Sequence, residues 1–255
     1  MEIIKNKLCN YTPISLSEMD NVKLMDRTDT KFTFAFDKLP DILDALLNNY
    51  RVLIIDGVMI NRYETLYFDT PDLLMYNLHQ SGKLNRHKIR HRTYVESNIG
   101  FLEVKFKNNK GRTFKSRIKE NEVCYDFKTK QIEFIQKKTP YNCTQLKPTI
   151  WVNYSRITLV NKTSAERLTI DINLEFKKDN ITKTFNQLVI AEVKRDSKSN
   201  SPFVDVMKKL HLREGSISKY CLAVAVSFPD VKKNNFKEKI INLKNLINYD
   251  SSSNS

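Results

Sequence analysis

The chain carries charged residues at two-residue spacing on segments that otherwise read as β-strands, most densely between Tyr63 and Arg117. Arg90 and Arg92 sit in KIRHR, Glu103, Lys105 and Lys107 in FLEVKFK, and Lys115 and Arg117 in FKSR. A strand sends alternate side chains to opposite faces, so each set shares one face. Leu102, Val104 and Phe106 line the other face of FLEVKFK. The pattern predicts a sheet with one apolar face and one densely basic face, the second suited to a polyanion.

The alternation recurs along the chain. In RTDTKFTFAF, Arg27, Asp29, Lys31 and Thr33 oppose Phe32, Phe34 and Phe36. Tyr154 and Arg156 share a face of WVNYSRITL. In ERLTIDINLEF, Arg167, Thr169, Asp171 and Asn173 oppose Leu168, Ile170, Ile172 and Leu174, and in LVIAEVKRD Glu192 and Lys194 oppose Val189, Ala191 and Val193. An open antiparallel sheet also alternates, but its solvated face ordinarily mixes both signs. Here cations dominate. Two cations about 5 Å apart at an effective dielectric of about 20 repel by on the order of 3 kcal/mol, so such a face must be hydrated or filled by an anion. A sheet closed into a barrel with this face inward makes a wet, cationic tunnel, and we favour that over an open face.

The formal charge of +14 directs attention to nucleic acid, polyphosphate, nucleotides or an anionic membrane face. The hydrophobic share of 40% suffices for a sizeable core. No apolar run approaches the roughly 18–20 residues of a membrane span, and MEIIKNKLCN lacks a signal-peptide pattern, which predicts a cytoplasmic protein. Cys9, Cys124, Cys143 and Cys221 form no CxxC pair and read as buried free thiols. GxGxxG, GxxxxGK[ST] and HExxH are absent.

Helices are expected after Asp37, an N-cap before the stripe Leu39, Leu43, Leu46 and Leu47, and over DLLMYNLHQSG, Lys128–Lys137 and FVDVMKKLHL. SISKYCLAVAVSF reads as a helix or a final strand. The glycines fall at plausible turns. Residues 1–20 read as a loosely ordered N-terminal arm in which SLSEMD can open a short helix. Residues 21–228 read as one α+β tunnel domain, and 229–255 as an amphipathic terminal helix with a disordered tail, SSSNS.

Carboxylates among phosphate-binding cations are natural ligands for Mg²⁺ or Mn²⁺, which prefer hard oxygen donors. Asp29, Glu103, Asp171 and Glu192 qualify, and each is alternatively a salt-bridge partner holding an Arg or Lys. For Asp29 and Asp171 the salt bridge is preferred. His79 and His87 read as packing or polar contacts.

RxDxK at Arg27–Lys31, the run YxTLYFDTxDLxxYxxHxxGKxxRxKIRxR into FLEVKxKxxKGRTxKxR, YxR at Tyr154–Arg156, RLTID, AEVK at Glu192 and SKY at Ser218 fall in one order. In that order the chain resembles the VTC domain, the polyphosphate polymerase branch of the triphosphate tunnel metalloenzymes, over about residues 20–226. The resemblance implies a closed, antiparallel, eight-stranded β-barrel with helices outside. It also implies transfer of the ATP γ-phosphate to a growing inorganic polyphosphate chain, assisted by Mn²⁺ or Mg²⁺. Lys31, Arg90, Arg92, Lys105, Lys115, Arg156 and Arg167 match its basic phosphate positions, Glu192 its metal-binding glutamate, and Ser218 with Lys219 a phosphate-contacting pair. Arg90, Arg92, Lys105, Arg156 and Lys219 are the expected catalytic set. Arg27, Lys31, Lys115, Arg117, Tyr154, Arg167, Lys194 and Ser218 are expected to bind substrate. Ser216 stands where the family can carry another basic residue, and RTDTK replaces the ExExK of the thiamine- and RNA-triphosphatase branch.

Two other readings remain: a hydrolase of tripolyphosphate or nucleoside triphosphate in the same fold, and a non-catalytic binder of polyphosphate or nucleic acid. Single-strand binders stack bases on aromatic platforms among their cations. Phe32, Phe34 and Phe106 fall on the apolar face, which makes nucleic acid the weaker expectation.

Overall fold

The order of elements in the computed structural model is α1 (Glu2–Leu8), β1 (Pro13–Ile14), α2 (Leu16–Asp20), β2 (Arg27–Ala35), α3 (Leu39–Leu46), β3 (Tyr50–Leu53), β4 (Ile60–Asp69), α4 (Leu74–Gln80), β5 (Arg86–Tyr94), β6 (Ile99–Lys107), β7 (Thr113–Lys119), α5 (Thr129–Lys138), β8 (Lys147–Asn161), β9 (Glu166–Lys178), β10 (Ile181–Phe185), β11 (Leu188–Asp196), α6 (Pro202–Lys209), α7 (Lys219–Ser227) and α8 (Asn234–Asn248). The structure describes residues 1–20, 27–196, 200–215 and 218–248, and the expected disordered tail lies outside them.

The strands form one 11-stranded sheet whose main path runs β2-β11-β9-β8-β4-β5-β6-β7. Every pairing is antiparallel except that of the short β1 with β3. The α+β class follows the alternation, but the expected closed, eight-stranded barrel does not form. Among the described residues no strand pairs with the outer edge of β7. The outer edge of β2, where β7 would close the barrel, is taken by the chain after α6. Phe32 bridges Glu214, and the Gly215 N–H donates to the Lys31 carbonyl at 2.8 Å. Backbone groups spent there are not available to a closing strand.

The apolar face of β2, β11, β9 and β8 packs against α1, α3 and α6 through Phe34, Ile170, Val189, Leu43 and Phe203. Residues 1–20 are therefore not a loose arm: Ile4, Leu8 and Tyr11 are buried in this core, and the Tyr11 hydroxyl donates to the Leu43 carbonyl. Asp37 does not cap α3; it sits in a 3-10 turn over Phe36–Lys38. A second cluster joins Leu66, Phe68, Ile89, Leu102 and Val104 of β4–β6 to Ile135 of α5. Gly100 lies within β6 rather than at a turn, where a Cβ would sit 2.1 Å from the Glu120 carbonyl. Of the cysteines, all free, only Cys143 and Cys221 are buried; Cys9 is exposed.

The third large cluster lies on the opposite, basic face. Leu174 was expected beside Leu168 and Ile170, but Asn173 adopts φ 52 at a register shift between β8 and β9. A bulge of this kind turns the following residues to the other face. Leu174 and Phe176 accordingly join Val152, Leu188 and Ile190 there, covered by α7 and by Leu243 of α8. Apolar packing thus fills one end of the concave face. No described helix is long and apolar enough to cross a membrane.

Candidate active site

The cations on β8, β9, β11 and β2 come with their own carboxylates. Arg156 donates from Nε to Asp171 Oδ1 at 2.6 Å and from Nη2 to Oδ2 at 2.9 Å, and Lys219 also donates to Oδ2. The Asp171 side chain is 3% exposed. Its burial opposes ionisation, but Arg156 and Lys219 outweigh that and hold its pKa down at about 2. On the neighbouring strand β11, Glu192 Oε1 meets Lys31 Nζ at 3.1 Å and Lys194 Nζ at 2.7 Å. Burial again opposes the charge, yet Lys194 and Lys31 keep the Glu192 carboxyl far below the usual carboxylate range.

β5, β6 and β7 carry a surplus of positive charge instead. Register places Lys88, Lys105 and Lys115 side by side on the three strands, with Arg86–Lys107 in the row on one side and Arg90–Glu103–Arg117 on the other. Glu103 is the only carboxylate in these rows, and Arg90 Nε takes it at 2.6 Å. Adjacent strands lie about 4.8 Å apart, so each lysine pair in the central row repels its neighbour. Burial, then Lys88, Lys115, Lys31 and Arg90, pull the Lys105 pKa down to about 7. Ser218 and Lys219, adjacent at the start of α7, reach Lys88 of β5 and Asp171 of β9 respectively, so strands on the two sides of β4 and β8 face one another across that helix end. The sheet therefore curls into a trough.

The N-terminus of α7 opens into that trough. Ser218 caps it, its Oγ accepting the Cys221 N–H at 3.3 Å and the Lys88 ammonium at 2.7 Å. A helix N-terminus favours anions. The helix is held in place by Tyr220, which stacks on Tyr67 at 4.8 Å and donates to buried Asp69, itself accepting N–H groups of Thr70, Met75 and Tyr76.

Aromatic rings lie among the cations, Tyr154 beside Arg156 as their shared face predicts and Tyr63, Tyr67 and Phe101 besides. The Arg156 guanidinium sits 5.0 Å from the Tyr63 ring and 5.2 Å from that of Tyr154, Arg92 lies 5.6 Å from Tyr63, and Arg117 lies 4.3 Å from Phe101. Tyr63, Tyr67 and Tyr154 are buried beneath these side chains, so they orient the cations rather than offer open platforms to bases. Arg90 also donates to the Tyr67 hydroxyl at 3.2 Å. Burial raises the Tyr67 phenol pKa, but the charges of Arg90, Arg92 and Lys88 outweigh it and bring it down.

Of the expected site residues, Arg90, Arg92, Lys105, Arg156, Lys219, Lys31, Tyr154, Lys194, Ser218 and Glu192 face the trough together. Arg167 lies beside Lys194 in register, and Lys115 and Arg117 stand exposed on β7. Arg27 begins β2, but its side chain and Ser216 lie outside the described residues. Lys88 was missed, although it continues the period-two series Arg86, Lys88, Arg90, Arg92. Glu103 takes the salt-bridge alternative, holding Arg90. His87 packs on Phe106 at 4.5 Å.

No group of three or more His, Cys, Asp or Glu side chains gathers as a metal cage among the described residues. Mg²⁺ and Mn²⁺ are commonly held by one or two carboxylates plus substrate phosphates and water. Glu192, ionised and turned into the trough, fits a metal that arrives with its phosphate.

Comparison with known proteins agrees with this architecture. No curated protein matches the chain in sequence. A candidate adenylate cyclase from Bacillus halodurans shares the fold at TM-score 0.50 and 14% identity, over 80% of this chain and 100% of its own. A candidate adenylyl cyclase from Hippeastrum, described as having a dominant triphosphatase activity, aligns at TM-score 0.49 and 12% identity, over 81% of this chain and 98% of its own. The model of the VTC domain matches residues 26–228, which span every strand of the trough and the N-terminus of α7. With that match over most of its length and this curled antiparallel sheet, the chain belongs to the VTC domain family.

Proposed function

We propose that the protein is a polyphosphate polymerase that transfers the γ-phosphate of ATP to a growing inorganic polyphosphate chain in this trough. The observation that carries the reading is the in-register cationic surface of β5–β7 facing the ionised Glu192, held between Lys31 and Lys194, and the N-terminus of α7. Phosphoryl transfer asks little covalent chemistry of a protein; it asks for in-line positioning and charge neutralisation. A terminal oxygen of the acceptor chain attacks the γ-phosphorus while the bond to the β-phosphate oxygen breaks, and ADP leaves.

In this reading Arg90, Arg92, Lys105, Arg156 and Lys219 neutralise the charge that spreads over the transferred group. Arginine contributes a planar fork and lysine a point charge. Arg27, Lys31, Lys115, Arg117, Tyr154, Arg167, Lys194 and Ser218 hold the flanking phosphates. Glu192 would hold Mn²⁺ or Mg²⁺, which when bound supplies Lewis-acid neutralisation of phosphate oxygens. Asp171 keeps Arg156 and Lys219 aligned.

Purified protein incubated with ATP and Mn²⁺ should yield long polyphosphate on a stained gel, and Glu192→Gln or Arg90→Ala should abolish it. Free phosphate without chains would identify a hydrolase instead. Tight polyphosphate binding without ATP turnover would identify a binding module.

A further inference from the structure

The trough has one side that nothing in the described fold closes. Its apolar end is filled by α7 and Leu243 of α8, and the outer edge of β2 is taken by Glu214 and Gly215. No strand pairs with the outer edge of β7 among the described residues. The central lysine row leads straight to that edge: Lys88, hydrogen-bonded to Ser218 at the tip of α7, then half-buried Lys105, then exposed Lys115. Positive charge continues beyond the row, on Lys107 beside Lys105, on exposed Lys119 at the far end of β7, and on exposed Arg112 in the turn before it.

We infer that β7 is a lateral exit track, over which a long polyphosphate chain leaves the trough sideways rather than along its axis. This rests on the reading of the trough as a polyphosphate site and extends it to a surface outside the reacting centre. A polyanion lying across the sheet would meet a cation on each successive strand, with no carboxylate in the lysine row to repel it. Burial falls along the same direction, so the chain passes from a desolvated grip to a hydrated one. Lysines on a bare edge also discourage strand-to-strand aggregation. That role needs no in-register row reaching inward to a helix N-terminus.

The test compares chain lengths. Wild type and the exposed-edge variant carrying Arg112→Gln and Lys119→Gln are titrated with tripolyphosphate, long-chain polyphosphate and a single-stranded oligonucleotide. The track predicts that long-chain affinity falls by about tenfold and its salt dependence becomes shallower, because fewer counterion-releasing contacts remain. Tripolyphosphate affinity should stay within about twofold, since its grip lies inside the trough. Unchanged long-chain affinity, or an equal loss for both lengths, overturns the track; so does an oligonucleotide that binds this edge more tightly than long polyphosphate. Wild type that fails to bind tripolyphosphate would instead sink the reading of the trough, while the long-chain comparison would still report on β7.

Discussion

The two walls of the trough are built from the same alternating strands and differ in how their charge is balanced. On β8, β9, β11 and β2, Arg156 shares Asp171 with Lys219 of α7, and Lys31 and Lys194 share Glu192. On β5, β6 and β7, Glu103 stands alone against rows of lysine and arginine. The first wall is complete without a ligand. The second holds like charges next to one another, so an arriving polyanion relieves repulsion there as well as making contacts. The contrast separates positioning, done by ion pairs that hold a geometry, from capture, done by unbalanced charge.

The sharpest way to break that distinction is to remove the buried carboxylate of the balanced wall. Asp171→Asn leaves Arg156 and Lys219 without their partner and should cost about 3–5 kcal/mol in urea unfolding, the usual penalty for orphaning a buried charge. Its acid dependence has a definite sign. The folded pKa lies below the unfolded value, so the stabilisation is present above pH 3.8 and disappears as pH falls through about 2. A loss no larger than that of Glu103→Gln would show that the walls do not differ.

Glu192→Gln should reduce metal-dependent turnover of ATP by about a hundredfold or more. Metal-free tripolyphosphate binding should hold or tighten, because Lys31 and Lys194 then face the ligand unneutralised. Steady-state rates set beside calorimetry separate the two effects.

On the surplus wall the expected sign reverses. Lys88→Gln with Lys105→Gln should weaken tripolyphosphate binding by about tenfold while leaving the unliganded fold as stable as before or about 1 kcal/mol more so, through relieved repulsion. A destabilised variant would mean that these lysines are tied into the fold like those of the other wall.

The smallest effect is a pH dependence. Lys105 loses its proton near pH 7 in the free protein, so tripolyphosphate affinity should decline as pH rises through 7. Lys105→Arg, charged throughout, should remove that step. For folding, the unfolded chain still binds this proton between about pH 7 and 10.5, so the contribution of Lys105 to stability grows with pH across that window.

Much of this was legible in the sequence because the strand period is local. Arg90 with Arg92, Glu103 with Lys105, and Glu192 with Lys194 declare a shared face by spacing alone, and the motif order identified the family. Lys88 obeys the same spacing and could have been found by it. Closure was not legible. It depends on whether β2 meets β7 or a segment such as Glu214–Gly215, a choice made between stretches far apart in the chain. Nor was the identity of α7, buried on nearly every side from Tyr220 to Ala225, since a short, wholly apolar run has no period to tell helix from strand. The ordered N-terminal segment escaped for a related reason: Ile4, Leu8 and Tyr11 reveal their purpose only against α3.

The central claim is that unbalanced charge on β5–β7 captures phosphate. Calorimetric titration of tripolyphosphate into wild type and into the Lys88→Gln, Lys105→Gln variant, each at low and high salt, tests it most directly. The account predicts binding to wild type that weakens with salt, and a variant at least about tenfold weaker with a shallower salt dependence. Equal affinity for the two proteins, or binding indifferent to salt, would contradict it.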